Sequence, residues 1–269
     1  MVATDKLFAG SIPEIYDRLL VPLIFEPYAR DLAERLAKLD PRDVLETAAG
    51  TGVLTRAMAS RVPHARIVAT DLNQPMLDQA AATGSVRNRI ALRRADALAL
   101  PFGDQTFDVV TCQFGVMFFP DKVKGYSEAR RVLKPGGRFV FNVWDRISEN
   151  DFADVVTQAL ADFFPHDPPR FLARVPHGYH DEEGIRADLN AAGFVDILVD
   201  ARNDRSKAGS PLEPAIAYCQ GTPLRTEIEA RDASRLQDAT RRAADALAHR
   251  FGNSAIEGRI RAFVVTAVS

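Results

Sequence analysis

Apolar and polar residues follow one another along this chain in two rhythms. From Ser11 to Leu39 the apolar positions recur every three or four residues, the spacing of one helix face. Ile12, Ile15, Leu19 and Leu20 make the first such stripe, and Ser11 with Glu14 has the spacing of a capping box ahead of it. Pro22 is expected to interrupt the pattern. A second helix over residues 26–39, with Leu32, Leu36 and Leu39 on one face, should end at Asp40-Pro41.

The rhythm changes at Asp43. From there to Trp144, short apolar runs at residues 44–46, 66–70, 90–93, 107–112 and 139–143 are separated by helix-length segments. Several runs are apolar almost throughout, as strands covered on both faces by crossover helices are. This predicts the α/β class and a doubly wound parallel sheet. The phrase Leu133-Lys134-Pro135-Gly136-Gly137-Arg138 punctuates the passage from a helix into the fifth run and reads as a turn, not as chemistry.

Beyond Trp144 the alternation loosens. Residues 151–164 predict an amphipathic helix, 165–174 a Pro-rich connection, and 181–192 a helix capped by Asp181 and stopped by Gly193. Residues 194–199 predict a strand, 211–251 a mainly helical stretch and 261–268 a closing strand. Each helical stretch is too short and too intermittently apolar to hold its own core, so both read as insertions over the carboxyl edge of the sheet. The expected organisation is one domain over 1–269, with N-terminal helices in 1–42, a core in 43–144 and lid insertions in 145–180 and 205–258.

Composition narrows the class. Lys plus Arg number 34 against 36 Asp plus Glu, a net charge of −2, which supplies no basic footprint for sequence-independent nucleic-acid binding. The 46% hydrophobic content is ordinary for a globular protein, and no apolar run approaches the ~20 residues that span a bilayer. Cys112 and Cys219 make neither a disulfide framework nor a metal-ligand cluster, so no metal is expected. The opening Met1-Val2-Ala3-Thr4-Asp5-Lys6 lacks the pattern of a secretory leader, and the expected setting is the cytoplasm.

Chemistry concentrates at strand ends. Glu46-Thr47-Ala48-Ala49-Gly50-Thr51-Gly52 follows the first strand directly and opens a helix; Gly50 and Gly52 let the backbone turn sharply and a ligand approach it. Asp71 ends the second strand about 20 residues on, where an acid can accept both hydroxyls of a ribose or cap the helix that follows. Loop and acid thus lie at adjacent strand ends, near the switch point where open α/β sheets bind ligands. The third glycine of the dinucleotide fingerprint is replaced by Thr55, or by Val53 in the other register, and there is no phosphate loop with Lys followed by Ser or Thr.

The ordered set of motifs resembles the class I S-adenosylmethionine-dependent methyltransferases, in the small-molecule branch with the ubiquinone/menaquinone methyltransferase-like enzymes. It comprises residues 44–52, Thr70-Asp71-Leu72-Asn73-Gln74-Pro75-Met76-Leu77, Ala95-Asp96-Ala97 before Leu100-Pro101-Phe102, residues 107–110 leading to Gln113-Phe114-Gly115, and residues 132–137. The chain departs from the usual glycine at Ala48.

The resemblance implies a Rossmann-like, seven-stranded, mostly parallel sheet with helical lids, and transfer of a methyl from S-adenosyl-L-methionine to a small-molecule acceptor. Gly50 and Gly52 would then lie against the methionine part of the cofactor beside Ala48, and Glu46 would orient its ammonium. Asp71 would hold the ribose, Leu72 and Met76 would flank the adenine, and Asp96 with the Ala97 backbone would read its amino edge. Gln113 and Phe114 would close the side nearest the methyl. No nucleic acid and no membrane span are expected, and a homodimer stays open. A nicotinamide-dependent oxidoreductase and a non-catalytic S-adenosylmethionine-binding protein are the alternatives.

No catalytic residue is assigned. His166, His177, Tyr179, His180, Trp144, Asp145, Tyr16, Tyr28 and Tyr218 are candidates for the acceptor side, with Phe152, Phe163, Phe164 and Phe171 as apolar lining or simple packing. The densest cluster, His177-Gly178-Tyr179-His180, is either a wall of the acceptor pocket or a solvated loop.

Overall fold

The computed structural model describes residues 5, 8–84 and 89–269; apart from Asp5, the opening hexapeptide read above lies outside them. Seven strands form one sheet in the order β3-β2-β1-β4-β5-β7-β6. Strands β1 (Asp43–Glu46), β2 (Arg66–Asp71), β3 (Ile90–Arg94), β4 (Phe107–Gln113) and β5 (Leu133–Trp144) run parallel. β7 (Ile256–Val268) inserts antiparallel between β5 and the edge strand β6 (Val195–Ala208). The expected mostly parallel, doubly wound sheet is therefore present. Its order reverses between β1 and β4, which opens a crevice at their carboxyl ends.

Burial on both faces explains the unbroken apolar strands. Val44, Val109 and Val140 pack under α2 (Glu26–Ala37) and α3 (Val53–Arg61) through Leu32, Leu36, Leu54 and Met58. Leu45, Val110 and Phe141 belong to the cluster on the other face, with Tyr126 of α5 (Lys122–Val132) and Leu189 of α8 (Glu182–Ala191). α4 (Gln74–Ala82) follows β2. Asp181 caps α8 as expected, its Oδ2 accepting the Gly184 N–H at 2.9 Å.

Five local expectations change. Pro22 does not interrupt its helix: between α1 (Ile12–Ile15) and α2 the chain winds as a π-helix, Tyr16–Phe25, and the Glu26 N–H reaches the Val21 carbonyl. The wider turn moves aside the carbonyl that a proline ring would otherwise strike, and brings Leu20, Val21, Leu23, Ile24 and Phe25 all into the core. Ser11 makes no cap, because its backbone is helical instead of extended; its Oγ accepts from Arg225 Nη1 at 2.7 Å. Leu39 falls beyond the end of α2 and is exposed.

The Lys-Pro-Gly-Gly phrase is a bulged start to β5, not a turn before it. Phe107 and Val109 of β4 face Leu133 and Arg138, with Gly136 at φ +75° in the excess loop. Lys134 Nζ there bonds Asp108 at 2.7 Å and Asp43 at 3.2 Å, tying β4 to β1 at their amino ends, away from the crevice.

β6 and β7 are longer than the predicted 194–199 and 261–268, and pair as far as Ala208 with Ile256. Beyond the sheet lie α6 (Asp151–Phe163), α7 (Phe171–Arg174), α9 (Leu212–Gln220), α10 (Leu224–Asp232) and α11 (Leu236–Phe251). Leu160, Phe171, Tyr218, Ile228 and Leu247 from these helices share one apolar cluster with β5 and β7. Arg174 pins this layer: it pairs with both oxygens of buried Asp5 at 2.7 Å and with Glu227 at 2.6 Å. Among the described residues no helix is long and apolar enough to cross a membrane.

Candidate active site

The loop between β1 and α3 is stitched down on both sides. Thr47 N–H bonds the Thr111 carbonyl of β4 at 2.9 Å, and Ala49 N–H bonds the Thr70 carbonyl of β2 at 2.8 Å. Ala48, Gly50 and Gly52 all have positive φ, at 52°, 57° and 82°, so the position where glycine is usual keeps the left-handed backbone although it carries a methyl. That methyl is accommodated by Gly115, where an added Cβ would lie 2.4 Å from it.

Asp71 joins the loop to the second strand end. Its Oδ2 accepts the Gly50 N–H at 2.9 Å and its Oδ1 the Asn73 N–H at 2.8 Å, while burial pushes the carboxyl above its usual range. The helix cap position belongs to Asn73, not Asp71. Asn73 Nδ2 also reaches Oδ1 at 3.4 Å, so the lone pair left for a further donor is on Oδ2.

A cavity opens here. Ala48, Gly50, Asp71, Leu72, Met76, Asp96, Ala97, Gln113 and Phe114 all line it. Glu46 and Gly52 do not. Gly52 supplies the turn into α3, and Glu46 lies buried beneath the loop with Oε2 accepting from Thr55 Oγ1 at 2.5 Å. Burial raises the Glu46 carboxyl to about 8 in spite of that bond. Asp96 Oδ1 accepts the Leu98 N–H at 2.9 Å, so the acid shapes its loop as well as facing the cavity. Gln113 Nε2 donates to the Phe25 carbonyl at 2.9 Å, leaving Oε1 buried and without a partner.

Adjoining this crevice is a second, mainly apolar chamber. Phe8, Tyr16, Phe114 and Phe118 line both spaces. Phe114, at φ 52°, stacks on Trp144 with ring centroids 3.9 Å apart and planes 7° from parallel. The remaining wall includes Leu172, Pro176, His177, Tyr218 and Thr222.

The acceptor-side candidates separate accordingly. Tyr16, Trp144, His177, Tyr218 and Phe171 line the inner chamber. Tyr28 donates to the Arg202 carbonyl, Tyr179 to Asp188, and Asp145 pairs with Arg261, while His166 is exposed. Phe152 packs on Phe251, and Phe163 and Phe164 face Arg235. Of the His177–His180 cluster, His177 is buried: Nδ1 lies 2.8 Å from the Asp145 main-chain oxygen, and burial lowers the ring to about 4. Phe8, Phe118, Phe119 and Leu172 were not anticipated. The run Met117-Phe118-Phe119, immediately after the fourth strand end, was the available signal for two of them.

Comparison with known proteins agrees with this architecture. Residues 44–137 match the family model for a methyltransferase domain. The chain is 37% identical over 176 residues to the demethylmenaquinone methyltransferase of Deinococcus radiodurans, covering 64% of this chain and 71% of that one. With the demethylmenaquinone methyltransferase of Thermus thermophilus the identity is 44% over 164 residues, 57% and 74% of the two chains. Among solved structures, the YcgJ protein of Bacillus subtilis shares the fold with a TM-score of 0.57 at 19% identity, over 90% of this chain and 98% of that one.

The crevice suits the S-adenosylmethionine that such enzymes use. Asp71 offers an acceptor to hydroxyls, Gln113 lines the space and keeps a buried Oε1 without a partner, and Gly50 leaves a bare backbone 3.5 Å, measured from its missing Cβ, from Met76 Cε. The chain belongs to the class I S-adenosylmethionine-dependent methyltransferases, in the small-molecule branch that includes the ubiquinone and menaquinone methyltransferases.

Proposed function

We propose that the crevice residues hold S-adenosylmethionine and that the inner chamber receives a small, apolar, ring-bearing methyl acceptor. Asp71 would take the ribose hydroxyls, Leu72 and Met76 the faces of the adenine, Asp96 and the Ala97 backbone its amino edge, and Gln113 with Phe114 the side nearest the transferred group. Bound there, S-adenosylmethionine supplies a methyl on a positively charged sulfur, open to in-line displacement.

The observation that carries this reading is the shared wall. Because Phe8, Tyr16, Phe114 and Phe118 line both spaces, an acceptor in the chamber sits directly beside the crevice. The chain's own work is positional. Aromatic faces orient a flat ring and keep water away, and such alignment contributes up to ~7 to 11 kcal/mol of barrier lowering. α7 and α9, on the stretches read as lid insertions, provide Phe171, Leu172 and Tyr218, so those helices select the acceptor. The relatives' names, demethylmenaquinone methyltransferases, support a ring-bearing acceptor.

The test is to fill the chamber. Leu172→Trp should leave the affinity for S-adenosylhomocysteine within about twofold of native by calorimetry. Methyl transfer from labelled S-adenosylmethionine to a panel of ring-bearing acceptors should be lost. Full transfer by the filled variant would remove the chamber from the reaction.

A further inference from the structure

The inner chamber is apolar except at a few points, and one of them differs in kind from the rest. Thr222 is satisfied internally, donating to the Tyr218 carbonyl at 2.7 Å and accepting the Leu224 N–H at 3.2 Å. The Tyr16 and Tyr218 hydroxyls can donate or accept, so neither discriminates. His177 has no such freedom. A main-chain carbonyl only accepts, so the nitrogen 2.8 Å from the Asp145 oxygen, Nδ1, carries the ring's proton. The ring is buried, stands 6.0 Å from Trp144, and stays neutral at ordinary pH because burial disfavours its charged form. Nε2 therefore keeps a bare lone pair. Among the described residues no group hydrogen-bonds to it.

His177 lines the chamber, and an acceptor atom there with no protein partner is open to a donor from a ligand. Resting on the acceptor chamber proposed above, we infer that His177 determines specificity there: Nε2 accepts a hydrogen bond from a hydroxyl on an otherwise apolar ring. The chamber thus takes a hydroxyarene and discriminates against the same ring with the hydroxyl masked or oxidised to a carbonyl, since neither brings a proton to Nε2. His177 holds and selects the acceptor in this role; it need not remove the proton.

Full-length protein saturated with S-adenosylhomocysteine is titrated with 1-naphthol and with 1-methoxynaphthalene. Native protein should bind the naphthol about tenfold more tightly. His177→Asn, whose amide can still donate to the Asp145 carbonyl but has nothing at Nε2, should reduce that preference to about twofold or less; His177→Gln, whose longer amide can present oxygen there, should restore part of it. Side-chain nitrogen NMR of the native protein should show the Nδ1–H tautomer, with the Nε2 resonance shifted by the naphthol and not by its ether.

Equal affinity of native protein for the two probes, an undiminished preference in a folded His177→Asn variant, or an Nε2–H tautomer overturns the inference while leaving the chamber in place. Failure of both probes to bind would remove the acceptor chamber and, with it, the role given to His177.

Discussion

Asp71 serves the fold before it serves a ligand. Because Gly50 and Asn73 both donate to its carboxylate, Asp71→Ala should lower stability by roughly 1 kcal/mol as well as weaken S-adenosylhomocysteine by ~1 to 3 kcal/mol, read by thermal melts and calorimetry. Glu46 is the opposite case, a carboxyl that burial keeps protonated up to about pH 8 against an ordinary 4.5. Between those values the folded chain binds more protons than the unfolded one, so this group's stabilising share is complete below about pH 4.5 and is lost as pH rises towards 8. Glu46→Gln should flatten that fall, gaining on native protein by about 1 kcal/mol or more near pH 8 in urea melts. Asp71 and Gly50 were legible because a strand end and a spacing define them. His177 was legible only as one of a cluster, since its burial and its Asp145 partner are set by residues far off in the chain.

Elements were readable where one periodicity persisted and not where two effects competed. β1, β2 and β4 stood out because both faces are buried. β6 was legible only over 194–199, because beyond them this edge strand places Asp200, Arg202 and Asp204 between its apolar positions. The π-helix at Pro22 escaped the rule that proline breaks helices, because tertiary burial of the residues around it favours continuation. The β4–α5 connection carries a sharper constraint. A Cβ on Gly115 would lie 2.4 Å from Ala48 Cβ and 2.6 Å from Cys112 Sγ, so Gly115→Ala should cost ~1 to 3 kcal/mol in denaturant melts. Adding Ala48→Gly should recover part of the loss, both by vacating one contact and by relieving the positive φ at 48.

For the molecule as a whole, the doubly wound sheet and, through the resemblance of its motifs, the cofactor class were legible in the sequence, while the shape of the acceptor side was not. Phe8, Tyr16, Phe114, Leu172 and Tyr218 meet only after the N-terminal segment, α7 and α9 have packed over the carboxyl edge. No short-range pattern records such a meeting. The partition of shared aromatic residues between crevice and chamber has a thermodynamic consequence. Any rearrangement of those rings that helps one molecule to settle alters the equilibrium for the other, and by linkage the factor is the same in both directions. Donor and acceptor affinities are then properties of the pair, and a dissociation constant measured for either alone describes half of a reciprocal cycle.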